Sequence, residues 1–442
     1  MSDRSDSSSD DEPRPVWRML PNGVRLLAVP MPHVRSASVG VFVRVGSRDE
    51  DAANNGIGHV LEHMAFKGTR TRSVQAINLD AERLGAEVNA FTGKDTTGYF
   101  MTGLGRHVPR MLEMTADIVL NSTFPEAELS RELEVIRQEA IEYDEDPSDS
   151  AGELLDRAIW GGHPMGMPVI GTVENIERFS RDDLLAHVRS HYLAGHTVVA
   201  AAGRVDVAAF FERAARLFED MPRGQGPGSH DPVAPPPYVG SALGRRFSQV
   251  SQVFLQIGYP LAPQRVEDLP QQRWRTAASV AAILFGGGMS APLTDTVRER
   301  LGLAYTAEAS TDSGDAWSNF IVHAVTTPDK LEPLVQATGR LLREQAGAID
   351  PVHLERARNQ LIVSRVRAAE RSYATLERAV EELFARGTVS TTGERVAMVE
   401  AVTGDEVREV FERMGRLQPA LAITGKGATD RLARRLAGAL LG

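Results

Sequence analysis

Hydrophobic residues at alternate positions predict a strand early in the chain. Every second residue from Val39 to Val45 is valine, and an Asn-Asn-Gly turn and a helical pattern follow. A similar apolar stretch, Val250 to Tyr259, precedes an Ala-rich helical pattern over Gln271 to Phe285. The order of elements is the same in both places, which indicates two related parts within one chain.

The ends of the two parts also correspond. Residues 180–183 (Ser-Arg-Asp-Asp) form the kind of capping box that begins a helix, and an apolar strand ending at Gly203 follows. Residues 403–406 (Thr-Gly-Asp-Glu) begin a second such helix before a strand that reaches Gly425, so both signals recur at almost the same separation along the chain. We therefore predict an α+β fold with two homologous domains, each a mostly antiparallel or mixed sheet packed with helices.

A proline- and glycine-rich stretch separates the two parts. Residues 222–240 hold six of the 24 prolines and four glycines, so they neither continue a helix nor pair as a central strand. The sequence thus predicts an N-terminal domain over residues 16–221, a linker over 222–240 and a C-terminal domain over 241–442. Residues 1–15 are rich in Ser and Asp and predict a disordered tail.

Composition narrows the possible chemistry and location. The formal net charge of −10 argues against general binding to nucleic acid or anionic membranes, and no apolar run reaches the roughly 20 residues of a membrane span. The N-terminal segment, residues 1–15, lacks the apolar core of a secretory signal and the basic character of a transit peptide, so we expect a cytoplasmic bacterial protein. Because the chain has no cysteine, a metal site must use histidines and carboxylates.

The helical segment after Gly58 contains the sequence His59-Val-Leu-Glu-His63. At about 100° per residue, the two imidazoles and Glu62 share one face of the helix. Two histidines at i and i+4 can bind one tetrahedral zinc ion, while the carboxylate between them acts as a base without binding the metal. The order is the inverse of the HExxH motif of zinc proteases. The plainer alternative is a chance pair on the surface or a hydrogen-bonded pair in the core.

A catalytic zinc ion needs a third protein ligand. The acidic helical segment Pro125 to Tyr143 is the obvious source, and its carboxylates include Glu132, Glu134, Glu139 and Glu142. Glu132 and Glu139 share a face but lie about 10 Å apart along the helix axis, so only one of them can bind the ion. Spacing alone does not choose between them, and a solvated acidic surface is the alternative for the whole run.

Together with the following Met64-Ala-Phe-Lys-Gly-Thr69, the histidine motif resembles the inverted-motif zinc peptidases of the pitrilysin/insulinase superfamily, in the branch of mitochondrial and bacterial processing peptidases. That family places its third ligand at the end of a Glu-x6-Glu pair, at a set distance after the second histidine, and Glu139 stands at that distance from His63. The resemblance implies that Glu139 is the ligand and that Glu132 orients a ligand or raises its basicity. It also implies that the two domains form a clamshell.

One further motif concerns substrate binding. Asn89-Ala-Phe-Thr92 is similar to the strand that lies along the substrate in that family, which implies that Asn89, Ala90 and Thr92 contact a peptide.

In the second half, Arg298 and Tyr305 follow a Gly-Gly-Gly-Met-Ser segment and resemble the family's Arg/Tyr pair, which holds the substrate backbone from the domain facing the zinc. If the family resemblance is set aside, the sequence alone favours a surface position for Arg298 and a core position for Tyr305. With these motifs the resemblance covers the chain from about Leu20 to about Gly425.

The second copy of the repeat lacks the metal motif. Its matching helix reads TAASVAAILF, without histidine or carboxylate, so we expect one zinc ion per chain and a peptide held between the two domains. His187 and His191 form another i,i+4 pair, but no carboxylate lies between them, and we interpret them as structural.

These observations predict a zinc-dependent endopeptidase that hydrolyses extended peptides or unfolded segments, with Glu62 as the base. The same ligand set would also accept cobalt or manganese. The alternative is a non-catalytic or partner-dependent subunit of the same architecture, and we expect either a homodimer or a heterodimer with a related subunit.

Overall fold

The computed structural model describes residues 13–224, 234–261 and 269–441. Most of the predicted tail and the middle of the predicted linker lie outside these ranges, so both stay predictions. In the part of the chain that is described, no helix is both long enough and apolar enough to cross a membrane.

The first half of the chain contains the strand and helix predicted around the Asn-Asn-Gly turn, and the helix and strand predicted at its end. Its elements are β1 (Val16–Met19), β2 (Arg25–Pro30), β3 (Ser36–Val43), α1 (Ile57–Ala65), α2 (Val74–Leu84), β4 (Glu87–Thr92), β5 (Thr97–Leu104), α3 (Val108–Asn121), α4 (Glu126–Glu145), α5 (Pro147–Trp160), α6 (Val173–Ile176), α7 (Arg181–His191), β6 (Thr197–Gly203) and α8 (Val207–Phe218). Strands β4 and β5 form an antiparallel hairpin.

The second half repeats this order. Its elements are β7 (Ala242–Arg246), β8 (Val253–Pro260), α9 (Leu269–Gly286), α10 (Pro292–Thr294), a π-helical segment (Asp295–Arg300), β9 (Thr306–Ser313), β10 (Ser318–Thr326), α11 (Leu331–Gly347), α12 (Pro351–Ala369), α13 (Ser372–Arg386), α14 (Thr392–Glu400), α15 (Gly404–Met414), β11 (Ala420–Gly425) and α16 (Asp430–Leu441). The strand and helix predicted from residue 250 onward correspond to β8 and α9.

The two sheets have matching strand orders. Among the described residues, the first sheet has six strands in the order β1-β2-β6-β3-β5-β4, and the second has five in the order β7-β11-β8-β10-β9. The pairs β2/β6 and β7/β11 are parallel, and the other pairs are antiparallel. Apart from β1, each strand of the first sheet has a counterpart in the second. The predicted fold, two similar domains with mixed sheets packed by helices, is confirmed.

The central strand of the first sheet is buried on both faces. In β6, Val199 and Ala201 join one hydrophobic core, and Val198 and Ala200 join another on the opposite face. A strand covered on both sides is apolar at every position, which explains why β6 reads as a continuous run and does not alternate.

The described chain divides into two compact units that do not follow the two halves. Within the described ranges, the first unit comprises residues 13–137, 169–224 and 365–397, and the second comprises residues 138–168, 234–261, 269–364 and 398–441. Each unit therefore contains a segment from the other half of the chain. The predicted boundaries, 16–221 and 241–442, follow the repeat along the sequence and did not anticipate this exchange.

The exchanged segments include helices that cover the sheets. In the first unit, Leu376 and Leu383 of α13 pack in the core that contains Leu27 of β2. In the second unit, Leu155 of α5 packs in the core that contains Ala420 of β11. Hydrophobic periodicity identifies both helices but does not show which sheet each one covers.

Two local predictions are confirmed at the matching ends of the repeat. The side chains of Ser180 and Thr403 each accept a hydrogen bond from the backbone N–H three residues later, in complete capping boxes. Gly203 and Gly425, the last residues of the matching strands β6 and β11, have φ angles of 112° and 109°. A Cβ atom at these positions would meet backbone oxygens at 2.4 and 2.3 Å, so both positions require glycine.

Candidate metal centre

A buried carboxylate caps the N-terminus of helix α1. Glu50 is 3% exposed and accepts hydrogen bonds from the backbone N–H groups of Gly56 at 2.8 Å and Gly58 at 2.9 Å, and from Asn55 Nδ2 at 3.0 Å. Burial raises the pKa of Glu50, although these hydrogen bonds partly oppose the rise. The sequence prediction missed this residue, and the available signal was an acidic side chain shortly before the Asn-Asn-Gly turn.

The turn that leads into α1 has little space. Gly56 has a φ of 99°, and a Cβ atom there would lie 2.7 Å from Cα of Gly171, which itself has a φ of 87°. Only glycine fits both the backbone angle and the close approach. These contacts determine the direction in which the histidine-bearing helix leaves the turn.

The faces of α1 divide as predicted. Val60 and Met64 are fully buried, whereas His59, Glu62 and His63 are partly exposed. The ring centroids of His59 and His63 are 4.7 Å apart. The pKa of His59 is lowered to about 4, mainly by burial and to a smaller extent by the neighbouring His63, so the ring is neutral near pH 7. Neutral imidazole is the form that binds metals.

Helix α4 brings a carboxylate to the two rings. Ligand atoms of His59, His63 and Glu139 all lie within 4.8 Å of one another. A tetrahedral ion with bonds of about 2.1 Å holds its ligand atoms roughly 3.4 Å apart, so small side-chain rotations would close the set. In addition, Nδ1 of His59 is buried and has no hydrogen-bond partner within the described residues. Two imidazoles and one carboxylate are a donor set that fits zinc.

Glu132, which the helical spacing allowed as an alternative metal ligand, is not in the ligand cluster but contacts His63 and Lys67. Its Oε1 atom is 3.0 Å from Nδ1 of His63, and its Oε2 atom is 2.6 Å from Nζ of Lys67. The carboxylate therefore binds the ring nitrogen nearer to the backbone and leaves Nε2 of His63 to a metal. Of the two glutamates, the structure brings Glu139 into the ligand cluster.

Glu62 lies on the same helix, outside the cluster formed by the three ligands. Its negative charge acts on two buried tyrosines, Tyr99 of β5 and Tyr192 after α7, whose hydroxyl oxygens are 2.8 Å apart. Burial, more than that charge, raises the pKa of Tyr192 to about 12. This pair could not be predicted from the sequence, because nothing in the pattern links residues so far apart in the chain.

The predicted substrate strand is β4, at one edge of the first sheet. Asn89 is exposed, and its Oδ1 atom accepts a hydrogen bond from the backbone N–H of Ala90 at 2.8 Å. Thr92 Oγ1 donates to the carbonyl oxygen of Gly58 at 3.3 Å. The side chain of Thr92 therefore contacts the histidine-bearing helix, an interaction that the sequence did not predict.

Arg298 and Tyr305 belong to the second unit. Arg298 lies in the π-helical segment, with Nη1 3.7 Å from Sδ of Met289, and Tyr305 is 76% exposed. Single π-helical turns are rare and often occur at functional sites. Tyr305 is thus not the core aromatic that the sequence alone suggested.

Two family models match the chain. Residues 25–173 match the family model described as insulinase (peptidase family M16), and residues 178–361 match the model described as the peptidase M16 inactive domain. The first match contains the histidine motif, and the second contains the copy of the repeat that lacks it.

Relatives cover most of the chain. An uncharacterized zinc protease of Rickettsia bellii is 34% identical over 345 residues, which are 77% of this chain and 81% of the relative. An uncharacterized zinc protease of Streptomyces coelicolor is 32% identical over 435 residues, 94% of this chain and 90% of the relative. The solved structure of a protease from Helicobacter pylori has the same fold, with a TM-score of 0.83 at 20% identity over 93% of this chain and 99% of that chain.

Proposed function

The chain belongs to the insulinase family of peptidases, family M16, and from that premise we propose that it is a zinc-dependent endopeptidase that hydrolyses extended peptides or unfolded segments. One observation carries the proposal. Ligand atoms of His59, His63 and Glu139 lie within 4.8 Å of one another, with the carboxylate of Glu62 on the same helix as the histidines.

The three ligands would hold one zinc ion per chain. When bound, such an ion acts as a Lewis acid that polarises the scissile carbonyl and lowers the pKa of water. The protein supplies the orientation: Glu132 holds the Nδ1 side of His63, and Glu50 holds the first turn of α1. Support from these two sides limits how far His63 and the start of α1 can move without the metal.

Glu62 is the proposed general base. As water attacks the carbonyl carbon, Glu62 accepts a proton from the water, and as the C–N bond breaks it delivers that proton to the leaving nitrogen. One peptide bond and one water molecule thus become an acid and an amine. The hydroxyl groups of Tyr99 and Tyr192, on which the charge of Glu62 acts, are protonated near pH 7, as tyrosines ordinarily are, and burial raises the pKa of each further.

The substrate is proposed to be an extended peptide. Strand β4 is an edge strand, and an edge offers backbone N–H and C=O groups to a peptide of any sequence. We propose that Asn89, Ala90 and Thr92 contact this peptide, and that Arg298 and Tyr305 bind its carbonyl groups. The net charge of −10 favours basic peptides.

The test uses the purified full-length chain. We expect about one zinc ion per chain by elemental analysis and cleavage of a peptide library that stops with a chelator and returns when zinc is added. Zinc binding without cleavage would support the alternative of a non-catalytic subunit. Cleavage only after a related chain is added would support a partner-dependent enzyme, and light scattering would report whether the active species is a dimer.

A further inference from the structure

Lys67 contacts the carboxylate that supports His63. Its Nζ atom lies 2.6 Å from Oε2 of Glu132, whose Oε1 atom lies 3.0 Å from Nδ1 of His63. The side chains of Lys67 and Glu132 are 25% and 13% exposed, so the ion pair is mostly shielded from water. One carboxylate therefore joins an ammonium group to a proposed metal ligand, with one oxygen for each partner.

Lysine is an unusual choice in this chain. Four of its 49 basic residues are lysines, at positions 67, 94, 330 and 426, and the others are arginines. An arginine fork tends to bind both oxygens of a carboxylate, whereas an ammonium group can bind one and leave the other to accept from an imidazole. Position 67 is a site where that difference matters.

The position of Lys67 in the chain links it to the metal-binding helix. It lies two residues after the end of α1, and its backbone N–H donates to the carbonyl oxygen of Met64 at 3.1 Å. His63 in the last turn of α1 and Lys67 just after the helix thus both contact the carboxylate of Glu132. A carboxylate that accepts from Nδ1–H selects the tautomer of His63 whose Nε2 atom can bind a metal.

We propose that Lys67 is a positioning residue: by holding Glu132, it keeps His63 in the tautomer and orientation that the metal site requires. The ammonium group also offsets the charge of the Glu132 carboxylate, which is 13% exposed. The proposal rests on the proposed zinc site, but it does not depend on which peptide is cleaved. The simpler alternative is an ion pair that contributes only to folding.

The experiment measures zinc affinity by chelator competition in four full-length variants: Lys67→Met, Lys67→Arg, Glu132→Gln and the double variant Lys67→Met/Glu132→Gln. We expect Lys67→Met and Glu132→Gln each to weaken zinc binding by about tenfold or more, a typical effect of removing a hydrogen-bond partner of a metal ligand. Because Lys67 acts through Glu132, the double variant should bind zinc as Glu132→Gln does. Lys67→Arg should fall between wild type and Lys67→Met.

Lys426→Met is the matched control, since Lys426 is exposed in the second unit, and it should bind zinc like wild type. The melting temperature of each metal-free variant shows whether the substitution has changed stability. Where it has not, a loss of zinc affinity reports on the metal site. Wild-type zinc affinity in Lys67→Met, or losses that multiply in the double variant, would overturn the proposal.

The outcome can be separated from that of the proposed function. If the chain binds zinc but cleaves no peptide, the affinity series still tests the role of Lys67. If the chain is an active zinc peptidase and Lys67→Met binds zinc normally, only the present inference fails. A wild-type chain that binds no zinc would overturn both.

Discussion

The carboxylate of Glu50 accepts a hydrogen bond at 2.9 Å from the backbone N–H of Gly58, the residue before His59. N–H groups in the first turn of a helix have no partner within the helix, and a carboxylate there satisfies them and complements the helix dipole. The start of the histidine-bearing helix α1 is therefore held by a residue outside the histidine motif.

Glu50→Gln is expected to destabilise the protein. The amide keeps one oxygen, so one of the two backbone N–H groups loses its acceptor in a buried site, at a cost of about 1–3 kcal/mol in the free energy of unfolding. Urea denaturation of the metal-free protein would measure the loss. Glu82→Gln, at an exposed position of α2, is the control and should change stability by less than about 0.5 kcal/mol. Equal stability of the two variants would contradict the capping role.

Glu62→Gln and His59→Ala should separate catalysis from metal binding. Since Glu62 lies outside the ligand cluster, Glu62→Gln is expected to keep its zinc and lose about 100-fold or more in kcat. His59→Ala removes a ligand and should lose both zinc and activity. Elemental analysis and steady-state kinetics on the same samples check both expectations, and full activity of Glu62→Gln would remove the proposed mechanism.

Glu139→Gln and Glu142→Gln compare two carboxylates of one helix. Only the first belongs to the ligand cluster of the described residues, whereas Glu142 is exposed three residues further along α4. We expect Glu139→Gln to weaken zinc binding by about 100-fold or more, because it replaces a charged ligand with a neutral one. Glu142→Gln should bind zinc like wild type. Similar affinities in both variants, measured by chelator competition, would show that another residue completes the site.

Stability should fall in mild acid because of His187. Burial, and next the charge of His191, lowers the pKa of His187 to about 3, below its ordinary value of 6.5. The unfolded chain therefore binds a proton that the folded chain does not, so this contribution is present above pH 6.5 and is lost as the pH falls towards 3. Between pH 7 and pH 5 the loss from this group is about 2 kcal/mol.

In a His187→Gln variant, the free energy of unfolding should fall by about 2 kcal/mol less between pH 7 and pH 5 than it does in wild type. Urea denaturation of the metal-free protein at pH 7, 6 and 5 would measure it, and the wild-type slope at pH 5 to 7 provides the reference. Parallel curves for the two proteins would mean that His187 is not buried in its neutral form.

Several features were predictable because they depend on residues close together in the chain. The capping boxes at Ser180 and Thr403 follow from side chains that reach backbone groups three residues away. The shared face of His59 and His63 follows from the geometry of one helix. The repeat was visible because the same local signals recur in the same order in both halves of the chain.

Other features depend on contacts between distant segments. Spacing allowed either Glu132 or Glu139 to bind the metal, and the resemblance to known peptidases was needed to choose. In the structure, the packing of α4 beside α1 turns Glu132 towards Nδ1 of His63 and brings Glu139 to the ligand atoms. Periodicity could not make that choice, because it shows which side chains share a face and not what the face meets.

Local spacing and backbone geometry were enough to predict the duplication, the two capping boxes, the strands beside them and the helix that carries the histidines. Contacts between distant segments were needed to show which sheet α5 and α13 cover, that Glu139 lies with the two histidines, and that Glu50 and Lys67 contact groups next to them. These features arise from packing between segments far apart in the chain, and a buried charge can persist only where such packing supplies its partners.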